Sequence, residues 1–218
     1  MIVFNIETTI SNYKKLKRDF KVRKSANYTE FVYPSGKRVF QNESDKFRKG
    51  LFLFRMVKSD IKKYLLKYGE VEPYESLPVN YRNEQYNDGE GEIIGIDIDN
   101  AYWRIAYLKD YISENTYLKE LKPVRLSALS SLGRARTYEV YQKGVYAFDE
   151  IHSEQKNLQN IYNDIRFSTY GVMYECSQLL GNDFHSWRTD CINFKDTPEN
   201  RKKVIDTLEM YNLDWKEE

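Results

Sequence analysis

Cysteine and histidine are scarce in this 218-residue chain. The two cysteines, Cys176 and Cys191, are too few for a disulfide framework or a four-ligand zinc site. A reducing compartment is therefore the default. The only histidines, His152 and His185, exclude a site built from several imidazoles. Proline and glycine, at 5 and 10 residues, form no low-complexity tract, and no internal repeat is present. No apolar run approaches the roughly 18 residues that a membrane span needs. The opening MIVFNIETTI lacks the basic start and apolar stretch of a secretion signal. A soluble cytoplasmic protein without membrane partners is expected.

Apolar residues make up 41% and charged residues 31%, a globular balance, and 26.1 kDa is enough chain for a core without metal or disulfide support. Aromatics are abundant, with 19 Tyr and 11 Phe. The net charge of +1 conceals strong blocks: residues 10–67 carry 17 Lys and Arg against 5 Asp and Glu, whereas 68–99 carry 1 against 9. In the basic block, Lys14, Lys15, Lys17, Arg18, Lys21, Arg23, Lys24, Lys37 and Arg38 alternate with Tyr13, Phe20, Tyr28, Tyr33, Phe40 and Phe47. Cations among flat rings suit a phosphate backbone with stacked bases. The alternative is a solvated basic face whose rings turn inward.

Three segments follow from the patterning. Residues 1–69 read as a basic, aromatic-rich module: a short strand at 2–6, a hairpin over 26–40 turning at Pro34 and Gly36, and helix over 43–68 with a break at Gly50 and a restart capped by Ser59 or Asp60. Residues 70–92 hold many acids and several Pro and Gly, and read as an acidic linker. Residues 93–218 form the main domain. There a buried strand ends at Asp97, and Asn100 opens a short helix. A small helix near 115–122 and another ending at Gly133 follow, then a strand and turn at RTYEVYQKGVY. The longest helical pattern covers 149–180, a hairpin surrounds Asp190, and Thr197–Pro198 start a last helix. The fold class is α+β.

Asp97 and Asp99 at a strand end, with Asp190 at a strand turn, are the hard oxygen ligands that two-metal phosphoryl transfer uses. Lys156, Gln159, Asn163, Arg166 and Tyr170 step by 3, 4, 3 and 4 and share one face of the long helix. Tyr170-Gly171 places in mid-helix a glycine that costs about 1 kcal/mol relative to alanine, and close approach of a base pair is one reason to accept it.

These segments resemble family B DNA polymerases. Asp97-Ile-Asp-Asn-Ala-Tyr102 resembles the first palm motif, Ser168-Thr-Tyr170-Gly171 the end of the fingers-helix motif, and Arg188-Thr189-Asp190 the Asp-Thr-Asp hairpin, in the family's order over about 92–215. The resemblance implies a palm-like antiparallel sheet backed by helices. It also implies Mg²⁺ or Mn²⁺ held by Asp97, Asp190 and the Ile98 carbonyl, with Asp99 as a further candidate. Tyr102 would pack under the incoming sugar and exclude a 2′-hydroxyl, Tyr170 and Gly171 would lie against the nascent base pair, and Arg166, Lys156 and Asn163 would meet the nucleotide. The implied partners are primer-template DNA, deoxynucleoside triphosphates and other replication subunits. The implied source is a phage or mobile element, and the implied compartment the host cytoplasm.

The chain departs from the pattern in several places. Arg188 replaces the hairpin's first Asp, and Asn163 and Phe167 stand where the fingers motif has Lys and Asn. Twenty-eight residues follow Asp190, too few for a full thumb, and the basic block would grip template instead. VFNIETT resembles the first exonuclease motif with Asn5 in place of its Asp. Two other readings remain: a non-catalytic palm that binds DNA or serves structurally, and a ribonuclease H-like nuclease. The nuclease fold makes 101–108 a strand; the palm makes it a helix and sets Asp97 and Asp190 on adjacent antiparallel strands.

Overall fold

The computed structural model describes residues 6–24, 28–41, 45–72, 76–86, 89, 91–119, 122–134, 136–152 and 156–218. In chain order they form α1 (Ile6–Lys15), β1 (Phe20–Lys24), β2 (Tyr28–Tyr33), β3 (Gly36–Gln41), α2 (Asp45–Tyr68), β4 (Asn80–Arg82), β5 (Ile93–Ile98) and α3 (Ala101–Leu108). These are followed by α4 (Glu114–Tyr117), α5 (Lys122–Ser130), β6 (Arg136–Gln142), β7 (Val145–His152), α6 (Lys156–Leu180), β8 (Phe184–Arg188), β9 (Cys191–Lys195), α7 (Pro198–Met210) and β10 (Trp215–Glu217). The fold is α+β, with two antiparallel sheets of five strands each among the described residues.

The chain divides into two compact units. The first comprises Met1–Leu51 and Arg134–Lys156, and the second Phe52–Gly133 and Asn157–Glu218. These units do not follow the boundaries read from the sequence at 69 and 92. The reason is strand pairing: β1 takes β6 as its neighbour, with Phe20 opposite Tyr141, so a distant hairpin joins the N-terminal sheet.

In the first unit the sheet order is β3-β2-β1-β6-β7. Ile6, Ile10 and Tyr13 recur at helical spacing on α1 and pack on Phe20, Val22 and Phe31, which alternate along their strands. Phe20 stacks on Tyr141 at 4.4 Å between ring centroids. The opposite face carries the buried Glu30, which accepts hydrogen bonds from Tyr138 at 2.7 Å and Lys37 at 3.0 Å. Burial pushes its carboxyl up, but these two bonds together with the Lys37 and Arg23 charges outweigh burial and lower it.

The second unit's sheet order is β10-β5-β9-β8-β4. Ile94, Ile96 and Ile98 on β5, with Ile192 and Phe194 on β9, put every second side chain into one core. That core also takes Leu53, Val57 and Ile61 from α2, Ile161, Ile165 and Met173 from α6, and Val204 and Leu208 from α7, each set at helical spacing. Thr197 caps α7 by accepting from the Asn200 amide, with Pro198 at the first helical position.

Several local expectations need correction. Helix α2 runs unbroken past Gly50, and Asp60 is no cap: its Oδ2 accepts from the Ser113 amide, the Ser113 hydroxyl and the Thr116 hydroxyl. The expected linker contains β4, which pairs with β8 and so belongs to the sheet. Helix α6 starts at Lys156 rather than 149, because Val145–His152 pairs with β6 as a strand. The expected strand at 2–6 lies outside the described residues except for Ile6, which starts α1. Residues 101–108 are helix, not the strand that a nuclease hairpin needs.

Candidate functional site

Asp97 is placed by strand periodicity. Its neighbours Ile96 and Ile98 enter the core, so its side chain leaves on the other face of β5. Across β9 it faces Cys191, and the Ile98 amide donates to the Asp190 carbonyl at 2.9 Å. Asp190 therefore sits in the turn that opens β9, the antiparallel neighbour of the strand that carries Asp97. Asp190 follows Thr189, whose φ of 58° is a strained conformation for a β-branched residue. That two-residue turn between β8 and β9 aims Asp190.

Asp97 and Asp190 share one open cavity of about 390 Å³ with Asn100, Tyr102, Lys122, Arg125, Lys216 and Glu218. Asp97 is buried and pairs with Lys216 on β10 at 3.2 Å, and Lys216 also reaches Glu218 at 3.3 Å. Burial, and next the Asp97 charge, push the Asp190 carboxyl up to about 6, while Lys122 pulls it down. Burial, and then the charges of Glu218 and Asp97, push the Cys191 thiol up to about 12. Both cysteines are free.

Beside the carboxylates, the Tyr102 and Tyr170 hydroxyls lie 2.8 Å apart, and Arg166 Nε donates to the Tyr170 hydroxyl at 3.3 Å. The Arg166 guanidinium lies over the rings of Tyr162 and Tyr170, 5.6 and 5.7 Å from their centroids. Burial and the Tyr170 hydroxyl push ionisation of Tyr102 well upward, so it stays a neutral hydroxyl. Tyr170 is fully buried, and Tyr102 alone of the pair lines the cavity. A Cβ at Gly171 would meet nothing within 4 Å among the described residues.

The structure thus brings together Asp97, Asp190 and Tyr102, and links Arg166 and Tyr170 to them through Tyr102. Asn163 is half-buried on α6 and does not line the cavity, and Lys156 belongs to the first unit. Asp99 accepts a hydrogen bond from the Asn100 side chain at 2.8 Å and also lies outside the lining. Arg188 is exposed and absent from the lining.

In the basic block, Lys21 pairs with Glu150, Lys24 with Glu139 and both Arg23 and Lys37 with Glu30. Lys14 lies over Tyr141 and Arg18 over Tyr13. Lys15, Lys17 and Arg38 are exposed. Tyr13, Phe20, Tyr33 and Phe40 pack in the core of the first unit rather than presenting their rings to solvent. The side chains of Phe47 and Tyr28 fall outside the description.

Four charged cavity residues escaped the sequence reading. Lys122 and Arg125 stand at i and i+3, a pattern visible in the sequence but attached to no motif. Lys216 and Glu218 had no local signal, because only the pairing of β10 with β5 brings them to Asp97. Among the described residues, no group of three or more His, Cys, Asp or Glu side chains is placed to hold a metal ion. Two carboxylates whose charges repel do fit Mg²⁺ or Mn²⁺, which take hard oxygens and fill their remaining positions with water or substrate. Compared with protein-family models, curated proteins and solved structures, the chain has no significant match.

Proposed function

We propose that the chain is a minimal DNA polymerase of the family B type, or a subunit of one, whose palm is the second unit. The observation that carries this reading is the placement of Asp97 at the end of β5 beside Asp190 in the turn that opens its antiparallel neighbour β9, with helix α3 directly after β5. The resemblance required that arrangement, and the nuclease alternative required a strand in place of α3.

The reaction joins a primer 3′-oxygen to the α-phosphorus of a deoxynucleoside triphosphate and breaks the α–β phosphoanhydride, releasing pyrophosphate. Bound metal ions supply charge stabilisation on the entering and leaving oxygens. The chain's own residues hold and orient. Asp97 and Asp190 offer the metal-binding oxygens, and Lys216 must yield the Asp97 oxygen it now holds. Tyr102, fixed by Tyr170 and Arg166, forms the wall against which a sugar sits and leaves little room for a 2′-hydroxyl. Free thiols and the absence, among the described residues, of any helix long and apolar enough to cross a membrane suit work in a reducing cytoplasm.

Primer extension with purified protein tests the reading. Wild type should extend with Mg²⁺ or Mn²⁺, and Asp190→Asn should lose at least about a hundredfold in rate. Tyr102→Ala should keep part of the activity and admit ribonucleotides. The Lys216–Asp97 ion pair favours one second reading, a non-catalytic palm in which the ammonium stands in for metal. Failure of wild type to extend with either metal, alone or with partner proteins, selects that reading.

A further inference from the structure

The cavity around Asp97 and Asp190 is lined by residues of β5, α3, α5, the β8–β9 turn and the C-terminal strand region, and by none of α6. The cations the resemblance assigned to a triphosphate are therefore not the ones that face the carboxylates. Arg166 is engaged by the Tyr170 hydroxyl and ring. Lys216 is held between Asp97 and Glu218.

Two cations remain in the lining, Lys122 and Arg125, one turn apart on α5. Lys122 is exposed, and its charge acts on Asp190. Arg125 is fixed: its Nε donates to the Lys119 carbonyl at 3.1 Å, and its guanidinium lies over Trp103, 5.8 Å from the ring centroid. One cavity thus presents acids from β5 and the β8–β9 turn and bases from α5. A simple anion would be repelled by Asp97, Asp190 and Glu218, and a simple cation by Lys122 and Arg125. A metal-chelated polyphosphate satisfies both walls, with its cation against the carboxylates and its excess negative oxygens against the Lys-Arg pair.

We propose that Lys122 and Arg125 form the polyphosphate subsite of this cavity, taking the β- and γ-phosphates of the incoming nucleotide and then the pyrophosphate. The proposal rests on the polymerase reading and moves the phosphate-binding task from α6 to α5. The guanidinium supplies planar N–H donors and the ammonium a point charge, so both phosphates find charge-assisted partners.

Calorimetric titration tests it without turnover. Mn²⁺ alone, Mg·dATP, Mg·pyrophosphate and deoxyadenosine are titrated into wild type, Lys122→Glu and the Lys122→Ala/Arg125→Ala double variant. Lys122 is exposed, so Lys122→Glu should keep a cooperative melt, lowered slightly by repulsion from Asp190, even if loss of the Arg125–Trp103 contact weakens the double variant. Both variants should bind Mg·dATP and Mg·pyrophosphate about tenfold or more weakly, the effect of losing a charge-assisted hydrogen bond. Deoxyadenosine binding should not change, and Mn²⁺ should bind as tightly or more so. Equal affinity of wild type and both variants for Mg·pyrophosphate overturns the subsite, as does an equal loss for deoxyadenosine. Wild type that binds Mn²⁺ but neither polyphosphate also overturns it while sparing the metal site. Wild type that binds no Mn²⁺ overturns the polymerase reading first and the subsite with it.

Discussion

The folded chain disfavours the ionised form that Asp190 takes at neutral pH. Burial, with the Asp97 charge added, puts its carboxyl near 6 against an ordinary 3.8. A raised acid binds its proton more tightly folded than unfolded, so between those two values the unfolded state carries fewer protons. Stability then falls as pH rises from about 4 to about 6, and the penalty is fully present above that window. Asp190→Asn removes the charge and keeps the shape. The variant should melt at the same or a higher temperature than wild type at pH 7.5, with the difference vanishing below about pH 4. Thermal melts across that range check this, and a variant that is clearly less stable at pH 7.5 would contradict it. Mn²⁺ should raise the melting temperature of wild type and not of the variant, because a ligand of the native state alone stabilises by mass action. Lys216 is raised as well, but there the raised value favours the charged form and so stabilises the fold. Its bonds to Asp97 and Glu218 raise it above 10.5, so its contribution is whole below that value and lost as pH climbs past its folded value.

Helix α6 is locked in register by a buried carboxylate and a half-buried lysine. Asp164 is almost wholly buried; it accepts from Lys109 at 2.6 Å and from the Tyr111 hydroxyl at 2.6 Å, while Lys109 also donates to Ser168 at 2.9 Å. Lys109→Ala leaves a buried carboxylate without its cation and should cost about 3 kcal/mol. Lys109→Met/Asp164→Leu, which removes both charges, should recover much of that loss. Denaturant titration of the two variants measures it, and a double variant no more stable than the single one argues against a charge effect. In the first unit the β6–β7 turn holds Gly144 at φ +79°, where a Cβ would sit 2.5 Å from the Lys14 carbonyl oxygen. Neither the backbone angle nor the contact tolerates a side chain. Gly144→Ala should lose roughly 1–3 kcal/mol, read from the same titration.

Each unit takes residues from both sides of the expected cuts, so the chain should not fold in pieces divided there. A fragment 93–218 lacks Leu53, Val57 and Ile61, all fully buried in the second unit's core, and lacks β4 as well. It also carries β6 without β1. Circular dichroism and proton NMR of fragments 1–69 and 93–218 should show loss of native packing in both, and a cooperative melt for either would count against the discontinuous units. Nucleic-acid affinity belongs to this scale as well. Acids on β2, β6 and β7 neutralise Lys21, Arg23, Lys24 and Lys37. DNA contact by the basic block should therefore centre on the exposed Lys15 and Lys17. The logarithm of affinity for primed DNA should fall linearly with log salt, with a slope of roughly −2 if those two alone neutralise phosphates. A flat response removes the block from DNA binding.

Where local chemistry suffices, the sequence determined the outcome. Strand alternation at Ile94–Ile98 turns Asp97 out of the core, Thr197–Pro198 start α7, and HSWRT and CINF close on Asp190, because each depends on neighbours a few residues away. The inward turn of Tyr13, Phe20, Tyr33 and Phe40 was present only as one of two options, since cation-ring patterns look alike in a core and on a binding face. What only the tertiary structure decided depends on partners far along the chain. Hydrogen-bonding groups on a strand edge accept any matching strand, so nothing near residue 20 names β6 as the neighbour of β1, and nothing near residue 216 names Asp97. Those two pairings set the division into units and brought Lys216 and Glu218 into the cavity. Packing of α5 did the same for Lys122 and Arg125.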